Sequence, residues 1–315
     1  MSLVNLDAAA IANALPWNRL IDGLATAFAQ GASAPMRGRH VLDLPNDPEA
    51  VLLTMPAWNN DFGGVKLVTV FPSNAREGRG MVAASYALFC AKTGSFVAVL
   101  DGEELTLRRT AAVAALAASH LARPDAVRLL VVGTGRLAER LPAAYSSIRS
   151  IRQVTVWGRT RARAERCAGR LRDSGFDAEA SSDLRESVGN ADIIATATGA
   201  TEPLLHGDWL CPGVHLDLLG SFRPHMTECD DATLLKASRF AETERAVLAE
   251  AGEFAQAQSR GLLLDRPFDA ELADLTSGRH PGRQHSTEIT LFKSVGHAVE
   301  DLTAASLAYR QHLSS

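Results

Sequence analysis

Cysteine is scarce in this chain and long apolar runs are missing. The four cysteines, Cys90, Cys167, Cys211 and Cys229, stand far apart with no CxxC pair and no zinc-ligand spacing. Neither a disulfide framework nor a structural metal is therefore expected, and Cys90, set in an apolar run, is expected in a core. No apolar stretch approaches the roughly 18–20 residues of a membrane span, and no basic-then-apolar leader opens the chain. A reducing cytoplasm is the expected location. Charge of either sign is not in excess: 32 Lys and Arg against 36 Asp and Glu leave a formal net charge of −4. That balance gives no electrostatic case for a nucleic acid or an anionic membrane. HExxH, a nucleophile elbow and a Ser/His/Asp order are all absent, and the nine histidines are scattered. Zinc-protease and serine-hydrolase chemistry are excluded on that ground, and no metal is expected.

The 315 residues, 46% of them hydrophobic, suit two globular domains without staples. The first hundred alternate a helical pattern, "DAAAIANALPWNRLIDGLATAFAQG", with β-branched runs such as "VLLTM", "VKLVTVF" and "SFVAVL". "LTLRRTAAVAALAASHLA" then reads as a long buried helix, and "RPDA" marks a domain boundary near Pro124. Beyond it, apolar strands ("VRLLVV", "QVTVWG", "DIIATAT", "VHLDLLG", "RFAET") alternate with helices. Such βαβ alternation predicts an α/β fold with a Rossmann-type, doubly wound parallel sheet. Asp217, inside "VHLDLLG", reads as a satisfied structural acid. The last segment, "TLFKSVGHAVEDLTAASLAYRQHL", is expected to be helical throughout.

The stretch "RLLVVGTGRLAER" runs a strand into Gly133-x-Gly135-x-x-Ala138 and then a helix. The first glycine permits the tight turn, the second lets backbone approach a pyrophosphate, and the helix N-terminus faces the phosphates. Gly133, Thr134, Gly135, Arg136 and Leu137 are accordingly expected to bind a dinucleotide. Pro142 is expected to interrupt or bend the helix that follows. The next strand ends in Gly158 and Arg159, without the acid that would bond the ribose 2′-hydroxyl of NAD. A guanidinium at Arg159, followed by Thr160, suits a 2′-phosphate instead. NADP(H) is thus favoured over NAD(H). Thr196 and Thr198, at the end of the fourth strand of this domain, lie where the cofactor ribose passes.

Outside the nucleotide unit the chemically interesting groups are cations. Lys66 lies on a strand behind two glycines, and Arg37 and Arg39 lie in "APMRGRH". Arg108 and Arg109 open the Ala-rich helix; they diverge by about 100° around it, so one points nearer the core.

Together these segments resemble the ornithine cyclodeaminase/μ-crystallin family across nearly the whole chain. The matching pieces are "MPAW" (55–58), "GGVKLVTVFPSN" (63–74), "KTGSFVAVLDGEELTLRRTAA" (92–112), "VVGTGRLA" (131–138), "DIIATATGATEPLL" (192–205), "GSFRPHMTECDD" (220–231) and "ITLFKSVGHAVEDLTAA" (289–305). The resemblance implies a Rossmann domain over 123–289 and a discontinuous α+β domain, 1–122 with 290–315, that binds substrate and forms a homodimer. It implies that Lys66 and Arg109 are catalytic and hold a substrate carboxylate, with Arg37 (or Arg39, the register being open) contributing. Ser294 and Val295 would approach the nicotinamide, and Asp301 would face the site or cap the last helix. Where the cyclodeaminases carry an acid that helps remove a proton, this chain has Phe222, which cannot act as a base and would line the substrate pocket. The variant fits the family's ketimine reductases, which reduce Δ1-pyrroline-2-carboxylate or Δ1-piperideine-2-carboxylate to proline or pipecolate. Ornithine cyclodeamination, amination of an α-keto acid as in alanine dehydrogenase, and non-enzymatic binding of NADPH are the rival expectations.

Overall fold

The computed structural model describes residues 3–30, 34–263 and 266–314. The chain forms two compact units, residues 1–109 with 297–315, and residues 110–296.

In the first unit β1 (Val4–Leu6) leads into α1 (Ala8–Ala14) and α2 (Trp17–Gln30). The Asp7 carboxylate caps α1 by accepting from the Ala10 amide at 2.8 Å, and Pro16 separates the two helices. β2 (Gly38–Val41), β3 (Val51–Trp58), β4 (Phe62–Val70), β5 (Val82–Cys90) and β6 (Phe96–Asp101) follow. They make a six-stranded sheet in the order β1-β6-β5-β4-β3-β2, antiparallel except for the β1–β6 pair. One transverse row of this sheet aligns Met55, Lys66, Tyr86 and Leu100 on a single face. α11 (Ala298–Leu313), from the other end of the chain, packs on β3, β4 and β5 and covers that face. All four residues of the row are buried, and each of its large apolar side chains contributes roughly 1.5–3 kcal/mol. Lys66 is the charged exception. Trp58 and Leu67 point the other way and are 46% and 41% exposed. Cys90, expected in a core, instead ends β5 at the turn into β6 and is only half-buried.

α3 (Gly102–Leu121) begins in the first unit, where the Asp101 carboxylate caps it by accepting from the Glu103 and Glu104 amides. Its alanines from Ala111 to Ala118 are buried, as the Ala-rich pattern predicts. Arg109 therefore stands two turns inside the helix rather than in its first turn.

The second unit continues with β7 (Arg128–Val132), α4 (Arg136–Ser146), β8 (Gln153–Trp157), α5 (Arg161–Asp173), β9 (Ala178–Ser181), α6 (Leu184–Asn190), β10 (Ile193–Thr196) and β11 (His215–Leu218). Then come α7 (Asp231–Lys236), β12 (Ser238–Ala241), α8 (Glu244–Glu250), α9 (Gly252–Ser259), β13 (Ala270–Glu271), α10 (Leu272–Thr276) and β14 (Thr290–Lys293). The eight strands pair only in parallel, in the order β13-β12-β14-β11-β10-β7-β8-β9. Leu130, Val132, Ile194, Leu216 and Leu218 are buried because helices cover such a sheet on both faces. The α/β expectation holds, with two corrections. Thr290–Lys293, expected to open the last helix, is a strand between β11 and β12, and the helix starts only at Ala298. Pro142 does not interrupt α4, which runs through it with the proline ring buried. Its missing N–H removes only one bond of the ladder.

Candidate active site and dinucleotide cleft

The first unit buries a compact cluster of opposite charges. Lys66 projects from the covered face of β4, Arg109 from α3, and Glu300 and Asp301 from the first turn of α11. Lys66 Nζ lies 2.9 Å from both carboxylate oxygens of Asp301 and donates to Thr106 Oγ1 at 3.3 Å. Arg109 donates from Nε to Asp301 Oδ1 at 3.1 Å and from Nη1 to Glu300 Oε2 at 2.5 Å. Lys66 is 2% exposed and Arg109 5%, while both acids are fully buried. The end of α11 is closed without Asp301: the His297 amide donates to Glu300 Oε1, and His297 Nδ1 accepts from the Val299 amide. Asp301 takes no part in that cap and faces Lys66 and Arg109.

Burial, with Arg109 adding to it, lowers the Lys66 pKa from 10.5 to about 8, outweighing the pull of Asp301. Burial works against the Asp301 charge too, yet Arg109 and Lys66 hold its pKa below the ordinary value. Burial lowers His297, which favours the neutral ring. Arg37 is half-buried and close enough for its charge to act on both Asp301 and His297, whereas Arg39 is exposed on the edge strand β2. Lys66, Arg109 and Arg37 thus all act on Asp301. Such a gathering of cations suits a carboxylate ligand.

The second unit carries a cleft of about 760 Å³ lined by Gly133, Thr134, Gly135, Arg159, Thr160 and Thr198, among others. Gly133 has φ +136°, and a Cβ on it would meet the Ala197 carbonyl oxygen at 2.6 Å, so the turn requires glycine. Gly135 has open space where its Cβ would stand and caps α4 without a side-chain bond. The first amides of α4 are thus free of a capping side chain, the arrangement that receives a pyrophosphate. Arg136 is exposed and Leu137 half-buried in that first turn. At the far side Arg159 and Thr160 precede α5, with Arg163 and Arg166 on the same cleft wall. These residues fit an adenine dinucleotide.

Thr196 and Ser294 turn inward instead. Thr196 Oγ1 donates to Glu228 Oε2 at 2.7 Å, and Ser294 Oγ donates to Glu242 Oε1 at 2.9 Å. Val295 is buried. Glu228 accepts from the Thr198 hydroxyl and amide and from the Gly220 amide as well, tying the ends of β10 and β11 together. Phe222 lies in the second unit on the loop after β11, 45% exposed, with the Arg223 guanidinium 5.6 Å from its ring centre. Asp217 is only half satisfied: Oδ2 accepts from Tyr145 and lies 3.1 Å from His215 Nε2, but Oδ1 has no partner among the described residues. Glu300, Tyr86 and Glu228 were not singled out by the sequence. Glu300 adjoins Asp301 in "AVED", so an acid beside a named site residue was the available signal there; Glu228 and Tyr86 adjoin no named site residue.

The ornithine cyclodeaminase/mu-crystallin family model matches residues 4–315. A Delta(1)-pyrroline-2-carboxylate reductase of Colwellia psychrerythraea is 36% identical over 92% of this chain and 93% of its own. The ketimine reductase mu-crystallin of Mus musculus is 37% identical over 81% and 78%. Among solved structures, the Thermococcus litoralis Delta(1)-pyrroline-2-carboxylate reductase in complex with NADH and L-proline superposes with a TM-score of 0.93. It is 29% identical and covers 99% of this chain and 98% of its own. With a family match over almost every residue and relatives above 30% identity over most of their length, the chain belongs to the ornithine cyclodeaminase/mu-crystallin family.

Proposed function

We propose that the protein reduces a small cyclic imino acid, Δ1-pyrroline-2-carboxylate or its six-membered homologue, with NADPH. The observation that carries this reading is the buried cluster in which Asp301 and Glu300 hold Lys66 and Arg109, beside relatives named for that reductase activity. Lys66 and Arg109 hold the substrate carboxylate, and Arg37 adds the third cation. Asp301 and Glu300 fix the two cations in place beforehand, so little ordering remains to be done when substrate binds. With Nε held by Asp301 and Nη1 by Glu300, the Arg109 guanidinium is fixed in its plane, which a lysine cannot reproduce.

Gly133, Gly135 and the start of α4 hold the pyrophosphate, and Arg159 with Arg163 holds the 2′-phosphate. When bound, NADPH supplies the hydride that reduces the C=N carbon. The Thermococcus relative was solved with NADH; the preference for NADPH here rests on the arginines at the end of β8 and the start of α5. The outward face of the six-stranded sheet, with Trp58, Leu67 and Phe96 exposed, serves a homodimer. Among the described residues no helix is long and apolar enough to cross a membrane.

Absorbance at 340 nm tests the reading. Adding Δ1-pyrroline-2-carboxylate to enzyme and NADPH oxidises the cofactor, faster than with NADH. Absence of oxidation with either cofactor refutes it, and ammonia release from ornithine would favour the cyclodeaminase.

A further inference from the structure

Under α11, the Met55–Lys66–Tyr86–Leu100 row contains one polar group with no partner. Tyr86 is fully buried, and among the described residues nothing hydrogen-bonds its hydroxyl. A buried hydroxyl without a partner is costly, and phenylalanine would fill the same space without that cost. Its position suggests what the hydroxyl serves. Tyr86 lies directly across from Lys66 on the neighbouring strand, with its side chain on the same face. The Asp301 carboxylate acts on the phenol electrostatically, so the ring belongs to the charged cluster. Gly64, two residues before Lys66 and on that face, leaves the tip its room: a Cβ there would stand 2.5 Å from Tyr86 Oη.

We infer that the Tyr86 hydroxyl is a further hydrogen-bond donor to the substrate carboxylate, beside Lys66 and Arg109. The inference rests on the imino-acid reading above and names a residue that reading lacks. Burial, and after it the Asp301 charge, pushes the phenol well above its ordinary pKa, so it stays neutral and donates. A neutral donor completes the site without disturbing its charge balance. The carboxylate is the fitting acceptor because a charge-assisted O–H···O⁻ bond is short and strong. A protonated imine nitrogen has no lone pair to offer. Transfer of the phenol proton would leave a buried tyrosinate beside Asp301.

Tyr86→Phe tests this in three readouts. With NADPH and Δ1-pyrroline-2-carboxylate, kcat/KM falls about ten- to a hundredfold, chiefly through KM. The thermal shift produced by pyrrole-2-carboxylate, a planar carboxylate that needs no turnover, shrinks in step. The Tm of the unliganded variant stays level or rises, because an unpartnered polar group has been removed. Wild-type values of KM and thermal shift in the variant would overturn the inference. So would a lowered unliganded Tm with an unchanged thermal shift, which would mark a structural bond to Asp301. If wild type fails to turn over the imino acid, the reductase reading falls, while the pyrrole-2-carboxylate shift still decides the role of Tyr86. Absence of that shift in wild type overturns both.

Discussion

Raising the pH should disarm the substrate site while the fold gains stability from the same lysine. Lys66 is 2% exposed and its pKa is lowered from 10.5 to about 8. At 1.36 kcal/mol per pH decade, keeping its ammonium charged in the fold costs roughly 3 kcal/mol relative to the unfolded chain. Below pH 8 both states bind the proton and that cost is fully present. Between about 8 and 10.5 the unfolded chain still holds the proton and the native one has released it, so stability rises with pH across this window. Activity moves the other way, because neutral Lys66 no longer attracts a carboxylate. The expected profile of kcat/KM for Δ1-pyrroline-2-carboxylate, which reports the free enzyme, is flat near neutrality and falls tenfold per pH unit above about 8. KM for NADPH, bound by groups of the second unit, shows no matching limb. Lys66→Arg keeps the charge and moves the limb above pH 10, which separates Lys66 from titration of the substrate itself. A kcat/KM that stays level to pH 10, or a limb at 8 that persists in Lys66→Arg, would refute the reasoning.

Three further substitutions follow from the same geometry. Arg109→Ala removes a cation bonded to both buried acids, Glu300 and Asp301; it should cost about 3–5 kcal/mol in urea unfolding and at least a hundredfold in kcat/KM. Asp301→Asn removes the larger of the attractions that raise the Lys66 pKa, leaving only that of Glu300, so the alkaline limb of the kcat/KM profile should move below pH 8. Arg159→Ala should raise KM for NADPH about tenfold or more and leave KM for NADH nearly unchanged, measured by initial rates with each cofactor.

The parallel sheet was largely legible because its strands are short apolar runs set off by helices, and Gly133 and Gly135 stand at the turn where their missing side chains matter. β14 escaped because "TLFK" runs into the last helix with only "SVGH" between them, and four buried residues carry no periodicity of their own. Cys90 misled for a related reason: its apolar neighbours belong to the strand, and the thiol itself stands at the strand's end. In the site, Lys66 and Arg109 could be named as cations in apolar surroundings. Asp301 could be named only through the family resemblance and with its role open, and Glu300 not at all, since both come from the opposite end of the chain, 235 residues from Lys66 in the case of Asp301. Tyr86 was hidden more deeply. Only the strand register that sets it across from Lys66 gives its hydroxyl a meaning, and register is a property of the folded sheet.

The most direct test of the whole account follows the hydride into the product. NADPH carrying deuterium at the transferable C4 position is mixed with enzyme and Δ1-pyrroline-2-carboxylate, and the product is examined by NMR. The account predicts proline bearing one deuterium at Cα, formed in step with loss of the 340 nm absorbance. Proline without deuterium, or cofactor left unoxidised with no proline formed, would contradict it.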